Sequence, residues 1–151
     1  MIELRKITED NFDECIKLEP KEEQKGYVAS NICSLAQAYV ALSNNECVMT
    51  YSIYENDIMV GFIMLSYDEG DEKAYWICRL MIDKQYQGNG YGKKAMTKAI
   101  EVIRTFPCGK ASVVYLSYEP ENVVAKTLYA SMGFMETGKV EDCELVAKLI
   151  L

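Results

Sequence analysis

Hydrophobic and polar residues along the chain follow two periods, one typical of strands and one typical of helices. Alternating or continuous apolar stretches predict strands at 2–6, 47–54, 58–67, 73–82 and 112–117, with two more in 134–151. Helical spacing predicts helices at about 9–18, 28–43 and 121–132, and another after the glycines at 88–92. This order predicts an α/β fold with a mixed, mostly antiparallel sheet flanked by helices.

Two of the predicted helices carry apolar stripes. The stripe in the helix over 28–43 consists of Val28, Ile32, Leu35, Ala36, Tyr39 and Leu42. The stripe in the helix after the glycines consists of Ala95, Met96, Ala99, Ile100, Ile103 and Phe106. Both patterns predict amphipathic helices, and Pro107 and Gly109 end the second one.

Length and composition predict a single domain that spans residues 1–151. Half of the residues are hydrophobic and 26% are charged, which is a normal balance for a globular domain. No apolar run approaches the ~20 residues of a membrane span. The early acidic Glu3, with no apolar segment after it, is unlike a signal peptide. We therefore expect a cytoplasmic protein that does not bind membranes.

The cysteine spacing, the lack of histidine and the net charge limit the kinds of site and partner that the protein can have. No two of the six cysteines have C-x-x-C spacing, so we expect buried free thiols rather than a zinc or redox motif. The chain has no histidine, which excludes Ser-His and Cys-His triads and imidazole bases, and we expect no metal. The net charge of −7 disfavours nucleic-acid binding and would attract a cationic partner, although it also serves solubility.

The segment from Gln87 to Lys93 predicts an anion site. Its glycines let backbone N–H groups approach a ligand closely, and the helix that follows adds a positive N-terminal dipole. Together these features suit a pyrophosphate. Neither the Rossmann G-x-G-x-x-G nor the P-loop G-x-x-x-x-G-K-[ST] fits, because Lys93 stands where the first needs glycine and Gln87 where the second does.

Two motifs resemble the GNAT superfamily of N-acetyltransferases. Gln87-x-x-Gly90-x-Gly92 resembles the family's Q/R-x-x-G-x-G/A motif and stands between a strand and a helix, as it does in the family. The second segment, Asn122-x-x-Ala125-x-x-Leu128-Tyr129-x-x-x-Gly133-Phe134, resembles a stretch that follows at the family's usual distance. The resemblance implies the GNAT fold and an enzyme that transfers an acetyl group from acetyl-CoA to a primary amine.

The resemblance also implies roles for individual residues. The backbone of Leu80, Met81 and Ile82 would pair with the pantetheine arm of CoA, and Asn122 would hydrogen-bond it. The pyrophosphate would be held by backbone amides of Gln87, Gly88, Asn89, Gly90, Tyr91, Gly92 and Lys93. Tyr129 would be the general acid that protonates the departing thiolate, a role that fits a phenol.

A weaker resemblance to bacterial spermine/spermidine acetyltransferases implies a polyamine acceptor. The segments that carry it are 22–31 and 75–92. Carboxylates would bind such a polycation, and the candidates are Glu22 and Glu23, with Asp68 and Glu69 as a second pair. Tyr27 or Trp76 could contact an ammonium group through its ring.

The sequence specifies no general base. Some polyamine acetyltransferases have a glutamate where this chain has Cys78, so deprotonation would use water, with Glu22, Glu23 or a strand carbonyl as relay. The alternatives are an enzyme for another small-molecule amine or for a protein N-terminus, and a non-catalytic acyl-CoA-binding module. A homodimer is compatible with the sequence.

Overall fold

A computed structural model describes all 151 residues as one seven-stranded sheet with four helices. The strand order is β1-β2-β3-β4-β5-β7-β6, and only the β4–β5 pair is parallel. The elements are β1 (Ile2–Lys6), α1 (Phe12–Cys15), α2 (Asn31–Ser43), β2 (Cys47–Glu55), β3 (Ile58–Asp68), β4 (Ala74–Ile82), α3 (Tyr91–Arg104), β5 (Val113–Tyr118), α4 (Val123–Ser131), β6 (Met135–Glu141) and β7 (Glu144–Ile150). The predicted fold class is confirmed. No helix is long and apolar enough to cross a membrane.

The core has two parts, one on each face of the sheet. The larger part lies under α3, and it buries Ala95, Met96, Ala99, Ile100 and Ile103 of the predicted stripe. The last member of that stripe, Phe106, lies beyond the end of α3 and is 37% exposed. The smaller part lies on the face of α1 and α2, and it contains Phe62, Met64 and Met81.

The predictions for the first two helices were partly wrong. α1 has a single turn, Phe12–Cys15, instead of about ten residues. α2 begins at Asn31, and its buried residues are Asn31, Ser34 and Ala38. Ile32 and Tyr39 of the predicted stripe are 58% and 74% exposed. The side-chain amide of Asn31 donates to the carbonyl of Cys15 at 2.9 Å, so a polar anchor orients this face inward.

A bulge in β4 positions the site. Arg79 pairs with Met64 of β3 and Ile77 pairs with Leu65, so Cys78 is the extra residue between them. The parallel pairing of β4 with β5 stops after Trp76. Beyond that point the two strands separate, and the 80–82 segment of β4 keeps a strand partner on its β3 side only. This separation opens a cleft in the middle of the sheet.

Two of the six cysteines form a disulfide, which corrects the expectation of free thiols. Cys47 at the start of β2 is bonded to Cys108 after α3, with their Cα atoms 6.0 Å apart. The prediction that the cysteines are buried was also wrong for Cys33 and Cys143, which are exposed. Cys15 is buried as expected. The partners are 61 residues apart in sequence, so spacing alone contained no signal for the pair.

Candidate active site

A cavity of about 710 Å³ fills the space between the separated ends of β4 and β5. We call it the cleft. Its walls are residues 77–82 of β4, residues 86–93 except Asn89, the end of β5, and α4, with residues 24–29 across the opening. All three predicted cofactor segments therefore meet in one cavity.

The 87–93 segment presents free backbone donors to the cleft. None of its backbone N–H groups donates to a backbone carbonyl. Gly88 and Gly90 have φ values of 82° and 75°, a left-handed conformation that favours glycine. A Cβ on either residue would meet open space, so the loop is exposed where a ligand would approach. Lys93 adds a positive charge to the same wall.

Two side chains of this loop are used to hold it in place. The Gln87 side chain donates to the carbonyl of Ile82 at 3.0 Å and to Gln24 Oε1 at 2.7 Å. Asn89 Nδ2 donates to the carbonyl of Tyr86 at 2.9 Å, and Asn89 does not line the cleft. These contacts brace the loop against the end of β4 and leave its backbone amides free.

Asn122 has a structural task as well as a place in the cleft. It is the N-cap of α4, where its Oδ1 accepts from the N–H of Ala125 at 3.3 Å. The Nδ2 group has no hydrogen-bond partner in the protein and is free to donate to a ligand. Asn122 lines the cleft beside Ala125 and Leu128.

Tyr129 projects from α4 into the cleft. Its ring packs against Tyr118 and Phe134, with centroids 5.8 and 6.1 Å away. Burial, with a smaller effect of the negative charge on Glu144, raises the pKa of Tyr129 to about 12. No other group of the protein hydrogen-bonds its hydroxyl, whereas the hydroxyl of Tyr118 donates to Glu136 at 3.0 Å. The phenol of Tyr129 is thus protonated and free to donate.

A second cavity of about 580 Å³ adjoins the cleft at Ile77, Cys78, Arg79 and Ser117. We call it the groove. Four carboxylates line it, from Glu46, Asp68, Glu69 and Glu141, and Arg79 is its one basic residue. Trp76 also lines the groove and stacks on Tyr115 with ring centroids 5.2 Å apart. Two of the predicted acids and the predicted tryptophan therefore share one acidic cavity.

The remaining acceptor candidates lie elsewhere. Glu22 and Glu23 belong to a short 3-10 helix, Glu22–Gln24, and line neither cavity. The side chain of Glu22 is 85% exposed and pairs with Lys25 at 2.8 Å. Tyr27, by contrast, lines the cleft.

Cys78 and Glu144 are two further ionisable residues of the cleft wall. The Cys78 thiol lies 3.1 Å from Ser66 Oγ, and burial raises the pKa of this thiol, so it stays protonated. Glu144 was missed, although it lines the cleft with Ser117. These two residues belong to different strands and to no motif, so their proximity depends on the pairing of β5 with β7.

Comparison with known proteins shows which family the chain belongs to. The sequence profile described as the acetyltransferase (GNAT) family matches residues 2–134. The chain belongs to this family. Both the resemblance and the predicted enzyme class, an N-acetyltransferase, are thereby confirmed.

Individual relatives of this acetyltransferase agree with that assignment. It is 31% identical over 149 residues to a probable spermine N(1)-acetyltransferase of Bacillus subtilis subsp. natto. The alignment covers 93% of this chain and 91% of the relative. It is 30% identical, with the same coverage, to the spermine/spermidine N(1)-acetyltransferase of Bacillus subtilis strain 168. A spermidine N-acetyltransferase from Vibrio cholerae, solved with CoA and spermine, shares the fold with a TM-score of 0.74 at 16% identity, over 99% of this chain and 95% of that one.

Proposed function

We propose that this acetyltransferase moves an acetyl group from acetyl-CoA to a primary amine of a polyamine such as spermidine or spermine. The observation that carries the proposal is the junction of a cleft rich in free amide donors with a groove lined by four carboxylates. The names of the curated relatives and the spermine in the Vibrio cholerae structure support the choice of amine.

The cleft fits CoA through backbone groups that have no strand or backbone hydrogen-bond partner within the protein. Backbone amides of residues 87–93, with the N-terminus of α3, would hold the diphosphate. The backbone of Leu80–Ile82 lacks a strand partner on its cleft side and would pair with the pantetheine arm. Acetyl-CoA supplies the activated acetyl thioester, and these residues position it.

The groove fits a flexible polycation. Its acids come from both halves of the sheet: Glu46, Asp68 and Glu69 lie at the ends of β2 and β3, and Glu141 lies at the end of β6. Ammonium groups at several spacings can therefore find a partner. The face of Trp76 can contact an ammonium group as well. The guanidinium of Arg79 donates to the Cys78 carbonyl and to Gln37 Oε1, both at 2.9 Å, and forms no ion pair with the groove carboxylates, which stay available to a cation.

Tyr129 would supply the proton that the departing CoA thiolate needs. Its raised pKa keeps the phenol protonated across the neutral range, so the proton is present whenever substrate is bound. The hydroxyl forms no hydrogen bond within the protein and can turn toward the leaving sulfur.

An amine panel with acetyl-CoA tests the proposed substrate. We expect spermidine and spermine to be acetylated fastest, ahead of a monoamine, an aminoglycoside, an amino acid and a peptide N-terminus, with products identified by mass. We expect kcat/KM for spermidine to fall as salt rises, because the Debye length shrinks from ~10 Å at 0.1 M to ~3 Å at 1 M.

Matched variants separate groove charge from total charge. Replacement of Asp68 and Glu69 by Asn and Gln should raise KM for spermidine, because both carboxylates line the groove. The double variant Asp10→Asn with Glu121→Gln also removes two negative charges, at exposed positions outside both cavities, and should leave KM for spermidine unchanged. Equal use of a monoamine, or a rate insensitive to salt, would contradict the polyamine assignment.

Asn122 offers a test of CoA binding that spares the fold. In Asn122→Asp the carboxylate can still cap α4, but the amide donor is lost. We expect calorimetry to show acetyl-CoA affinity about three- to tenfold weaker, the loss of one hydrogen bond. Thermal stability should stay close to wild type in Asn122→Asp but fall in Asn122→Ala, which removes the cap. Unchanged affinity in both variants would exclude Asn122 from the CoA site.

A further inference from the structure

Glu144, the first residue of β7, faces the cleft close to its junction with the groove. We propose that Glu144 is the catalytic base that takes the proton from the substrate ammonium. This role rests on the proposed amine acetylation and assigns the step for which the sequence named no residue.

The faces of the sheet support this assignment. Leu116 and Tyr118 of β5 are buried in the core under α3, so Ser117 between them points to the opposite face. Ser117 Oγ donates to Glu144 Oε1 at 3.4 Å, which places the carboxylate on that opposite face. Tyr129 belongs to the α3 side. Base and acid therefore flank the separation of β4 and β5 from opposite sides of the sheet.

This placement matches the two proton movements of the reaction. The acceptor groove reaches the separation at Ser117, on the face of Glu144. The leaving thiolate needs its proton on the side of Tyr129. Glu144 lies in the cleft beside Ser117, where the groove joins it, and can thus accept the ammonium proton while Tyr129 protonates the thiolate from the other face.

The surroundings tune the carboxylate for this task. Burial is the largest cause that raises the pKa of Glu144 above its ordinary value, and the negative charges of Glu119 and Asp142 raise it further. The hydrogen bond from Ser117 and the charge of Arg79 oppose the rise. The other titratable or charged residues of the cleft wall are Lys25, Tyr27, Cys78, Arg79, Tyr86, Tyr91, Lys93, Tyr118, Glu119, Tyr129 and Asp142.

A base is needed because an alkylammonium group holds its proton strongly at neutral pH. With a pKa near 10, only about three amines in a thousand are neutral at pH 7.5. When Glu144 accepts the proton, the N–H bond breaks, its electron pair stays on nitrogen as the attacking lone pair, and an O–H bond forms on the carboxyl. Water then removes that proton and restores the carboxylate. The chain has no histidine, and the Cys78 thiol is protonated, so neither competes for the role.

Glu144→Gln is the direct test, measured with spermidine and acetyl-CoA. We expect kcat/KM for spermidine to fall at least ~100-fold at pH 7.5, within the range of general-base contributions. The deficit should shrink to less than ~10-fold near pH 10, where solution itself supplies the neutral amine. Acetyl-CoA affinity by calorimetry should not change, because the substitution keeps shape and hydrogen bonding.

Asp142→Asn is the comparison variant. Its wild-type charge raises the pKa of Glu144, so we expect the acid limb of the kcat/KM profile to move to lower pH and the activity at pH 7.5 to change only a few fold. In Glu144→Gln the same limb should disappear.

The outcomes separate the possible failures. A deficit in Glu144→Gln below tenfold at pH 7.5, or one equally large at pH 10, would overturn the role of Glu144, because a structural defect does not vanish with substrate ionisation. A wild-type enzyme that binds acetyl-CoA and acetylates no amine of the panel would instead overturn the proposed function.

Discussion

Tyr129→Phe is expected to lower kcat by about 100-fold or more while acetyl-CoA binds as before. General acids contribute roughly 10²–10⁴-fold, and the substitution removes only a hydroxyl that no other group of the protein hydrogen-bonds. The ring would keep its contacts with Tyr118 and Phe134, so the fold should persist. Steady-state rates with spermidine and calorimetric titration with acetyl-CoA check both halves of the prediction.

Tyr118→Phe is the matched control. Tyr118 is an adjacent phenol whose pKa is also raised to about 12, but its hydroxyl is committed to Glu136. We expect a loss of stability of about 1 kcal/mol from the broken hydrogen bond and a rate within a few fold of wild type. If the two substitutions lowered kcat equally, proton donation could not be assigned to Tyr129.

Reduction of the Cys47–Cys108 bond is expected to cost up to about 4 kcal/mol of unfolding free energy. The bond closes a loop across a separation of 61 residues, and its loss restores chain entropy to the unfolded state. Urea unfolding with and without dithiothreitol measures the difference. Without reductant, thiol titration of the denatured chain should count the four free cysteines.

A serine variant provides the control for the reductant itself. With Cys47 and Cys108 both replaced by Ser, dithiothreitol should no longer move the urea midpoint. Cys33→Ser should behave like wild type, because Cys33 is exposed and free. Six reactive thiols in the untreated wild-type chain would show that the bond does not form.

Local patterns predicted the parts of this protein that are contiguous in sequence. The buried stripe of α3 and the glycines at 88 and 90 needed only helical spacing and the demands of a left-handed turn. The motif around Asn122 and Tyr129 likewise lies within one helix and its cap.

Features that depend on how distant segments pair were not predictable in this way. The bulge at Cys78 arises from the register between β3 and β4, which alternation does not specify. Glu144 meets Ser117 only through the β5–β7 pairing. The exposed stripe of α2 was misleading because a buried amide, that of Asn31, outweighed apolar periodicity in orienting the helix.

The cleft and the groove share the wall at Ile77–Arg79 and Ser117 but have separate linings beyond it. With acetyl-CoA in the cleft and the amine in the groove, as proposed, both substrates can occupy the enzyme at the same time. Double-reciprocal plots of initial rate at several fixed donor concentrations should accordingly intersect. Parallel lines, the pattern of an enzyme that is acetylated before the amine arrives, are not expected from this architecture.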